Sequence, residues 1–404
     1  MREFISTTIL ALFLFALVTT QATQAQTFTV LHAFTSGQDG ANPYAGLTID
    51  KAGNLYGTAY AGGINDAGTV FKLTRKGSGW RFNSLYSFAN GNDGADPASG
   101  VIFGPDGSLY GATNHGGGSG FGTVFNLRPP VTACKAAMCS WTETTLHRFA
   151  AGPDGHQPTG DVIFDNAGNI YGICESGGAF GYGAIYELTP SGGNWTESVL
   201  YSFTDGEDGN QPYDGVILDN AGNLYGTAIY GGVNNCTGGC GTVFELMPQG
   251  SKWVENTLYL FQGSDDGDHP YAGLILDPLG NLYGATSSNA FSVFELTPSG
   301  GSWAFSRLYN SPFGGLGPAA RLTMDAAGNL YGTTVLNGKN DAGSVFKLTP
   351  SNGTWIYTSL HDFTGGSDGA EPWSNVIFDT QGNLYGTASE GGANGYGVVF
   401  EITP

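Results

Sequence analysis

A five-residue phrase, GNLYG with small variations, recurs seven times along this chain of 404 residues. Its seven tyrosines lie 48 to 61 residues apart, with a usual repeat of about 54, at Tyr56, Tyr110, Tyr171, Tyr225, Tyr283, Tyr331 and Tyr385. A repeat of this length, made of short apolar runs between Gly-rich turns, is typical of propeller blades with four strands each. We therefore expect an all-β fold: a seven-bladed β-propeller with four antiparallel strands per blade.

The fourth copy illustrates how one repeat forms a blade. Residues 215–219 form a short apolar run, residues 224–228 a second strand, and residues 241–246 a third strand after a Gly-rich loop. The fourth strand extends from Trp253 to Phe261, and five copies contain a tryptophan eight residues before a phenylalanine. Because an even spacing places both rings on one face of a strand, we expect these rings to pack between neighbouring blades.

The two ends of the chain match two parts of one repeat. The sequence ends just after a third strand, whereas residues 27–34 (TFTVLHAF) match a fourth strand. We expect the N-terminal strand to complete the last blade, because closing the ring removes the unpaired strand edges of an open sheet. Residues 26–404 are thus predicted to form a single propeller domain of seven repeats.

Residues 1–25 have the pattern of a signal peptide. Residues 9–18 form an apolar run of ten, shorter than the roughly 20 residues that a membrane span requires. Small and polar residues follow, and we expect cleavage after Ala25. The protein is therefore predicted to be exported, extracellular or periplasmic, without a transmembrane anchor.

The five cysteines agree with an oxidising compartment. Cys134 and Cys139 lie five residues apart, and Cys236 and Cys240 lie four apart, so each pair is predicted to close a small loop as a disulfide. The alternative is a single metal site with these four cysteines as ligands.

The charge of the chain restricts its partners. It carries 34 acidic and 14 basic residues, a net charge of −20. Without a basic stripe to neutralise phosphates, we expect no binding to nucleic acid. Such a field favours cations, or neutral ligands held by stacking and hydrogen bonds. We expect a monomer.

The repeat units resemble the bacterial Gloeobacter/Verrucomicrobia (GloVer) tandem-repeat family. The motifs LYSF, DGANPYAGL, DNAGNLYGT and GGxxxxGTVFELTP carry the resemblance, which covers residues 27–404. The resemblance implies a repeat type and a propeller-like fold, and it implies surface attachment, as in many members. It implies no particular reaction, because the family is known by its repeats.

Six copies contain the sequence Asp-Gly-x-x-Pro in the loop that leads into the blade. All three residue types suit a turn, since Asp closes an Asx-turn, Gly adopts positive φ and Pro begins a strand without an N–H donor. An alternative function is calcium binding, which uses several carboxylate and carbonyl oxygens. Extra acids in copies four and five make the candidate calcium ligands Asp208, Asp265, Asp266 and Asp268.

Positions at which one copy differs from the others are candidates for function. Four copies begin the first strand with Gly, whereas Asp161, Arg321 and Asn375 take that place in the other three. Asp214 lies one residue before its Gly. We expect these four side chains at the mouth of the central channel, where they could hold a polar ligand such as a sugar; a solvated rim is the alternative. Because Gly is native in four copies, we expect the Asp161→Gly, Arg321→Gly double variant to fold.

The loops between the second and third strands add further candidates on the same face. At nearly equivalent positions they contain Tyr60, His115, Glu175, Tyr230 and Glu390. The fifth copy has a shortened loop and the sixth lacks the Asp-Gly-x-x-Pro motif, which predicts a notch between blades five and six.

These observations favour a secreted or surface-associated binding module without enzymatic activity, its partner a polysaccharide or a surface protein. HExxH and P-loop motifs are absent from the sequence, and we assign no catalytic residue. The alternative is an extracytoplasmic hydrolase or lyase, assisted by calcium, that uses Asp161, Glu175, Arg321 and Asn375. Convergence of the unusual polar residues in one pocket would favour the enzyme, and their dispersal around a wide rim the binding module.

Overall fold

Seven four-stranded antiparallel units, one of them with an additional short strand, form a seven-bladed β-propeller and confirm the predicted fold. The computed structural model describes residues 26–404 except 78, 131–140, 289–290 and 313–314. From the innermost strand outwards, the blades contain Thr48–Ile49, Leu55–Ala59, Thr69–Lys76 and Gly79–Ser87 (blade one); Ile102–Phe103, Leu109–Thr113, Thr123–Arg128 and Thr142–Arg148 (two); His156–Phe164, Ile170–Ser176, Ala184–Ser191 and Asn194–Ser202 (three); Ile217–Leu218, Leu224–Tyr230, Thr242–Gln249 and Lys252–Leu260 (four); Ile275–Leu276, Leu282–Ala285, Ser292–Ser299 and Ser302–Asn310 (five); Thr323–Met324, Leu330–Thr334, Ser344–Ser351 and Thr354–Asp362 (six); and Ile377–Phe378, Leu384–Ala388, Val398–Thr403 and Thr27–Ala33 (seven). The additional strand, Asn210–Pro212, pairs with the second strand of blade four, and a 3₁₀ turn spans Gly152–Asp154.

The N-terminal strand closes the ring. Thr27–Ala33 pairs antiparallel with Val398–Thr403, with Phe28 opposite Ile402 and Val30 opposite Phe400. Phe28 also stacks on His361 of blade six, with ring centroids 3.7 Å apart. The strand therefore both covers the edge of blade seven and contacts the preceding blade, as the termini predicted.

Aromatic residues fill the space between blades. The tyrosine of the GNLYG phrase in one blade meets the outer-strand tryptophan of the following blade, as in Tyr385 with Trp80, whose rings lie 5.8 Å apart, and Tyr225 with Trp303 at 6.2 Å. Six of the seven tryptophans take this place: Trp80, Trp141, Trp195, Trp253, Trp303 and Trp355. They are core residues.

Each turn of the type Asp-x-x-Gly-Asn is held by its aspartate. In blade one, Asp50 accepts hydrogen bonds from the backbone N–H groups of Ala52 and Asn54, both at 2.9 Å, and from the Tyr56 hydroxyl at 3.1 Å. Burial alone would raise the pKa of Asp50, but these hydrogen bonds outweigh it and lower the pKa. The turn therefore also fixes the tyrosine that packs between blades.

The aspartate of Asp-Gly-x-x-Pro likewise has a structural role. Asp93 accepts a hydrogen bond from the hydroxyl of Tyr86, in the preceding outer strand, at 2.9 Å, and one from the Ala89 backbone N–H at 2.8 Å. His361 takes the place of the tyrosine in blade six and lies 3.1 Å from Asp368. The aspartate thus links the Asp-Gly-x-x-Pro loop to the outer strand that precedes this loop in the sequence.

Two predictions on the cysteines and the N-terminus have different outcomes. Cys236 and Cys240 form the predicted disulfide. Cys134 and Cys139 lie outside the described residues, as does the predicted signal peptide, residues 1–25. Within the part of the chain that the structure describes, no helix has the length and apolarity needed to cross a membrane.

Candidate functional site

The loops of one face surround a cavity of about 290 Å³ at the mouth of the central channel. Residues from six blades line this axial cavity. Its aromatic side chains are Tyr44, Tyr60, Tyr213 and Trp373, and its polar side chains include Thr159, Asp161, Asp214, Ser374 and Asn375. The structure therefore brings four of the predicted site residues, Asp161, Asp214, Asn375 and Tyr60, into one pocket.

The repeat explains how one short segment supplies both kinds of side chain. The residue after the proline of the loop is Tyr44, Tyr213, Tyr271 or Trp373 in blades one, four, five and seven. Two residues later comes the position that is Gly, Asp, Arg or Asn, which lies within or just before the innermost strand. In blades four and seven, an aromatic ring and a polar group therefore line the cavity from the same segment: Tyr213 with Asp214, and Trp373 with Asn375.

Three of the aromatic side chains, Tyr44, Tyr60 and Trp373, form an aromatic wall in the cavity. The ring of Tyr44 lies edge-on to Tyr60, with centroids 5.3 Å apart, and to Trp373 at 6.2 Å. The indole Nε1 of Trp373 and the hydroxyl of Thr159, a side chain only 5% exposed, are buried without a hydrogen-bond partner among the described residues. A buried donor or hydroxyl without a partner is costly, so both groups indicate capacity for a ligand or a bound water.

The polar residues of the channel lie over the glycines of neighbouring blades. Asp161 accepts a hydrogen bond from the backbone N–H of Gly100 at 2.8 Å. A Cβ atom on Gly46 would lie 2.0 Å from Oδ1 of Asn375, which explains why this position is glycine when its neighbour is large. Each of these polar side chains therefore occupies the space that the missing side chain of a neighbouring glycine leaves free.

Asp214 and Arg321 form a mostly buried ion pair across the channel. Asp214 Oδ2 accepts hydrogen bonds from the backbone N–H groups of Gly273, at 2.8 Å, and Arg321, at 2.7 Å, while the guanidinium of Arg321 donates to the Asp214 carbonyl at 2.7 Å. Each side chain is 17% exposed. Burial raises the pKa of Asp214 to about 6, although the guanidinium opposes this shift.

These contacts correct one expectation. Arg321 and Asp161 are not free of structural roles merely because other copies contain Gly, since Arg321 compensates the charge of Asp214 and Asp161 binds Gly100. Replacing both by Gly would leave the Asp214 carboxylate buried without its cation, which destabilises a folded protein.

The remaining predicted site residues lie around the axial cavity, not among the residues that line it. His115 is 3.1 Å from Asp96, Tyr230 approaches the Tyr271 hydroxyl at 3.4 Å, and Glu390 accepts a hydrogen bond from Asn42 at 3.0 Å. Burial raises the pKa of Glu175. Arg321 does not line the cavity itself, but it forms an ion pair with Asp214, which does.

The four predicted calcium ligands do not converge. Asp208 and Asp266 accept hydrogen bonds within their own turns, Asp265 is fully exposed near Arg307, and Asp268 lies 3.2 Å from His269. Among the described residues, no group of three or more His, Cys, Asp or Glu side chains could hold a metal ion. The acidic loops therefore provide no preformed set of calcium ligands.

A second recess lies where the loops of blades four, five and six meet, near the predicted notch. Its volume is about 660 Å³, and Asp268, His269, Ser287 and Leu316 are among its lining residues. His269 is held by Ser288 Oγ at 3.0 Å and by the Thr237 carbonyl at 3.2 Å. Its hydrogen bond with Asp268 is the main cause that raises its pKa.

The comparison with protein families identifies the repeat. The model of the Gloeobacter/Verrucomicrobia repeat matches residues 16–140, 132–292 and 289–404. The chain belongs to this family. A search of curated proteins gave no match.

Solved structures similar to this Gloeobacter/Verrucomicrobia repeat protein share its fold at low sequence identity. A fungal alcohol oxidase of the AA5 family, in complex with copper, has a TM-score of 0.55 at 12% identity and covers 94% of this chain and 77% of its own. An ulvan lyase of polysaccharide lyase family PL25, bound to GlcA(1-4)Rha3S units, has a TM-score of 0.50 at 11% identity, covering 90% and 94%. At these identities the likeness shows the propeller fold alone.

Sequence reasoning predicted Tyr60 but missed Tyr44, Tyr213 and Trp373, the other aromatic side chains in the cavity of this Gloeobacter/Verrucomicrobia repeat protein. The signal was present, because Trp373 is the one tryptophan of seven that does not occupy the packing position at the start of an outer strand. It also follows a loop proline, as do Tyr44 and Tyr213. Comparing that position among the copies, as was done for the glycines, would have predicted the wall.

Proposed function

We propose that the axial cavity binds a neutral carbohydrate and that the protein is an exported, secreted or surface-associated carbohydrate-binding module without enzymatic activity. The observation that carries this proposal is the convergence, in one cavity, of an aromatic wall with polar groups whose hydrogen-bonding capacity is not filled.

The chemistry of a sugar fits both features. A pyranose ring offers C–H faces that pack on aromatic rings and hydroxyl groups that both donate and accept hydrogen bonds. In the cavity, Trp373 and Tyr44 supply the ring surface, while the Asp161 carboxylate, the Asn375 amide and the Thr159 hydroxyl supply acceptors and donors. A few placed polar groups on a mainly aromatic surface are what specific small-ligand pockets contain.

The charges favour a neutral sugar over a uronate or a sulfated one. The chain has a net charge of −20, and Asp161 and Asp214 both line the cavity. The cation nearest to them, Arg321, already compensates Asp214. An anionic polymer would therefore meet a repulsive field with no spare positive charge.

A hydrolase is the second candidate, because the unusual polar residues Asp161, Asp214 and Asn375 converge in one pocket, which is the arrangement expected of the enzyme. Two carboxyl groups, Asp161 and Asp214, line the same cavity, and a pKa of about 6 for Asp214 suits a general acid. However, Oδ2 of Asp214 already accepts two backbone hydrogen bonds, and Arg321 holds its carbonyl. This arrangement suits a fixed structural acid better than a proton donor to a leaving group.

One depletion experiment tests both candidates. We would incubate the chain from residue 26 with insoluble β-glucan, α-glucan and mannan, and with pectate as an anionic polymer, and measure protein lost from solution and reducing ends released. We expect loss on a neutral polymer, no released sugar, and at least a tenfold weaker interaction for Trp373→Ala.

The matched control is Leu279→Ala, which truncates an exposed apolar side chain (84% exposed) in a hairpin turn on the opposite face and should bind normally. Depletion by pectate alone, or equal depletion of Trp373→Ala and the unmodified protein, would refute the proposal. Released sugar that disappears in Asp214→Asn would establish the hydrolase instead.

A further inference from the structure

Three exposed aromatic rings lie outside the axial cavity on the same face. Phe180 and Tyr182 belong to the Gly-rich loop of blade three and are 60% and 37% exposed; Tyr396 belongs to the equivalent loop of blade seven and is 41% exposed. At these exposures the rings add little to the packing of the core, and they are accessible to a ligand that stacks on aromatic faces.

The backbone fixes the position of both tyrosines. The Tyr182 carbonyl accepts a hydrogen bond from the Gln211 N–H at 2.9 Å, and the Tyr396 carbonyl accepts one from Asn42 at 2.9 Å. Each tyrosine also forms a bridge with the first glycine of its own loop, Gly177 or Gly391. Gln211 lies two residues before Tyr213, and Asn42 two residues before Tyr44, so each exposed ring is attached to a segment that supplies a cavity ring.

The repeat itself does not require these rings. At the equivalent position, Ala67 and Ala342 are buried, Cys240 is buried in the disulfide, and Phe121 packs on His156 with centroids 5.3 Å apart. The loop of blade five includes residues outside the described part of the chain. Exposed tyrosine is therefore a feature of the blade-three and blade-seven loops, not of the turn.

The order of the blades places the two loops on nearly opposite sides of the axial cavity. Tyr182 contacts the segment entering blade four, and Tyr396 the segment entering blade one, so three blades separate them in one direction and four in the other. A line from Tyr182 to Tyr396 therefore crosses the axial cavity, with Tyr213 and Tyr44 between its ends and the centre.

We propose that a neutral polysaccharide lies across this face along that line, with interior sugar units in the axial cavity and flanking units on Tyr182 and Tyr396. This inference rests on the proposed function. Since both tyrosines are exposed, neither end of the polymer needs to enter the cavity. The protein then recognises interior units of the polysaccharide and not its ends. Its affinity for an oligosaccharide increases with the number of sugar units until both tyrosines are covered.

A length series tests the inference. Cello-oligosaccharides and laminari-oligosaccharides of two to eight units would be titrated calorimetrically into the chain from residue 26. We expect the affinity to increase with oligosaccharide length for at least one series. Borohydride reduction of the reducing end of the sugar should leave this affinity unchanged. The Tyr182→Ala, Tyr396→Ala double variant should bind the longest sugar about tenfold or more weakly but the shortest binding sugar within twofold.

Controls separate this inference from the proposed function. Tyr182→Phe with Tyr396→Phe keeps the rings and should bind like the unmodified protein, whereas Trp373→Ala should lose short and long sugars alike. Affinity independent of length, with normal binding by the double alanine variant and loss in Trp373→Ala, refutes the extended mode and leaves the cavity as the site. Absence of binding to every sugar of both series refutes the extended mode for glucans, and the depletion experiment then decides the proposed function.

Discussion

Removal of the positive charge at Arg321 should destabilise the propeller strongly at alkaline pH and only weakly at acidic pH. In Arg321→Met the Asp214 carboxylate keeps the N–H donors of Gly273 and residue 321 but loses its counter-charge. Breaking a buried pair in this way costs about 3–5 kcal/mol, and the partial exposure of both groups places the expected cost near the lower end, about 3 kcal/mol at pH 8.

The pH dependence follows from the pKa of Asp214. Its folded pKa of about 6 lies above the ordinary value of 3.8, so Asp214 stabilises the fold most when protonated, and this contribution is lost as pH rises through 6. Without Arg321 the pKa rises further, and at pH 5 the group is neutral. The cost at pH 5 should then fall to about 1 kcal/mol, the value of the lost guanidinium hydrogen bond.

The assay is thermal unfolding at pH 5 and pH 8. With an unfolding entropy of about 2 cal/mol/K per residue, a domain of this size loses roughly 4 °C of Tm for 3 kcal/mol and roughly 1 °C for 1 kcal/mol. Asp214→Asn combined with Arg321→Met should recover part of the loss at pH 8, because the neutral amide needs no counter-charge.

A normal Tm for Arg321→Met at pH 8 would show that the buried Asp214 carboxylate needs no counter-charge from Arg321. So would normal stability of the Asp161→Gly, Arg321→Gly double variant, because that result would show that these positions tolerate Gly as the other copies do. A loss of equal size at both pH values would show that Arg321 acts through packing and not through charge.

Three further predictions concern the rest of the molecule. Burial raises the pKa of Glu197 from 4.5 to about 7, so its ionisation opposes folding as pH rises from 4.5 through 7; Glu197→Gln should increase stability by about 1–2 kcal/mol at pH 8, after allowance for solvent screening, and leave it nearly unchanged at about pH 4, measured by thermal unfolding. Deletion of the strand Thr27–Ala33 exposes an edge of blade seven and should cause aggregation or a large loss of Tm, whereas an unchanged, monomeric protein in size-exclusion chromatography would contradict ring closure. Asp208→Ala removes the acceptor of the Tyr201 hydroxyl and the Thr204 N–H and should cost about 1–3 kcal/mol in chemical unfolding; a change below 0.5 kcal/mol would show that this turn needs no aspartate.

The fold was predictable because seven copies of the same unit provide seven independent readings of each strand and turn. A strand assigned in one copy had to suit all the others, and the unmatched ends, residues 27–34 and 400–404, indicated which strands pair. The tryptophans were predictable for the same reason, since their even spacing from a phenylalanine recurs in five copies.

The candidate site was predictable only in part. Comparison of the copies singled out Asp161, Asp214 and Asn375, which the structure places in one cavity, and their role in binding stays a prediction. The pairing of Asp214 with Arg321 was not visible, because these residues are 107 positions apart and meet only across the closed ring. The predicted calcium ligands failed to converge because neighbouring acids on a turn point in different directions, which the spacing of residues 265–268 does not reveal.

A neutral sugar that binds in the axial cavity should contact Trp373, and the fluorescence of this tryptophan would report the contact. Six tryptophans pack between blades and serve as constant background, so the difference in emission between the unmodified protein and Trp373→Phe isolates the cavity. We expect a soluble neutral glucan to change this difference signal with a saturable isotherm. Identical responses of the two proteins, or saturable binding without any change at Trp373, would contradict it.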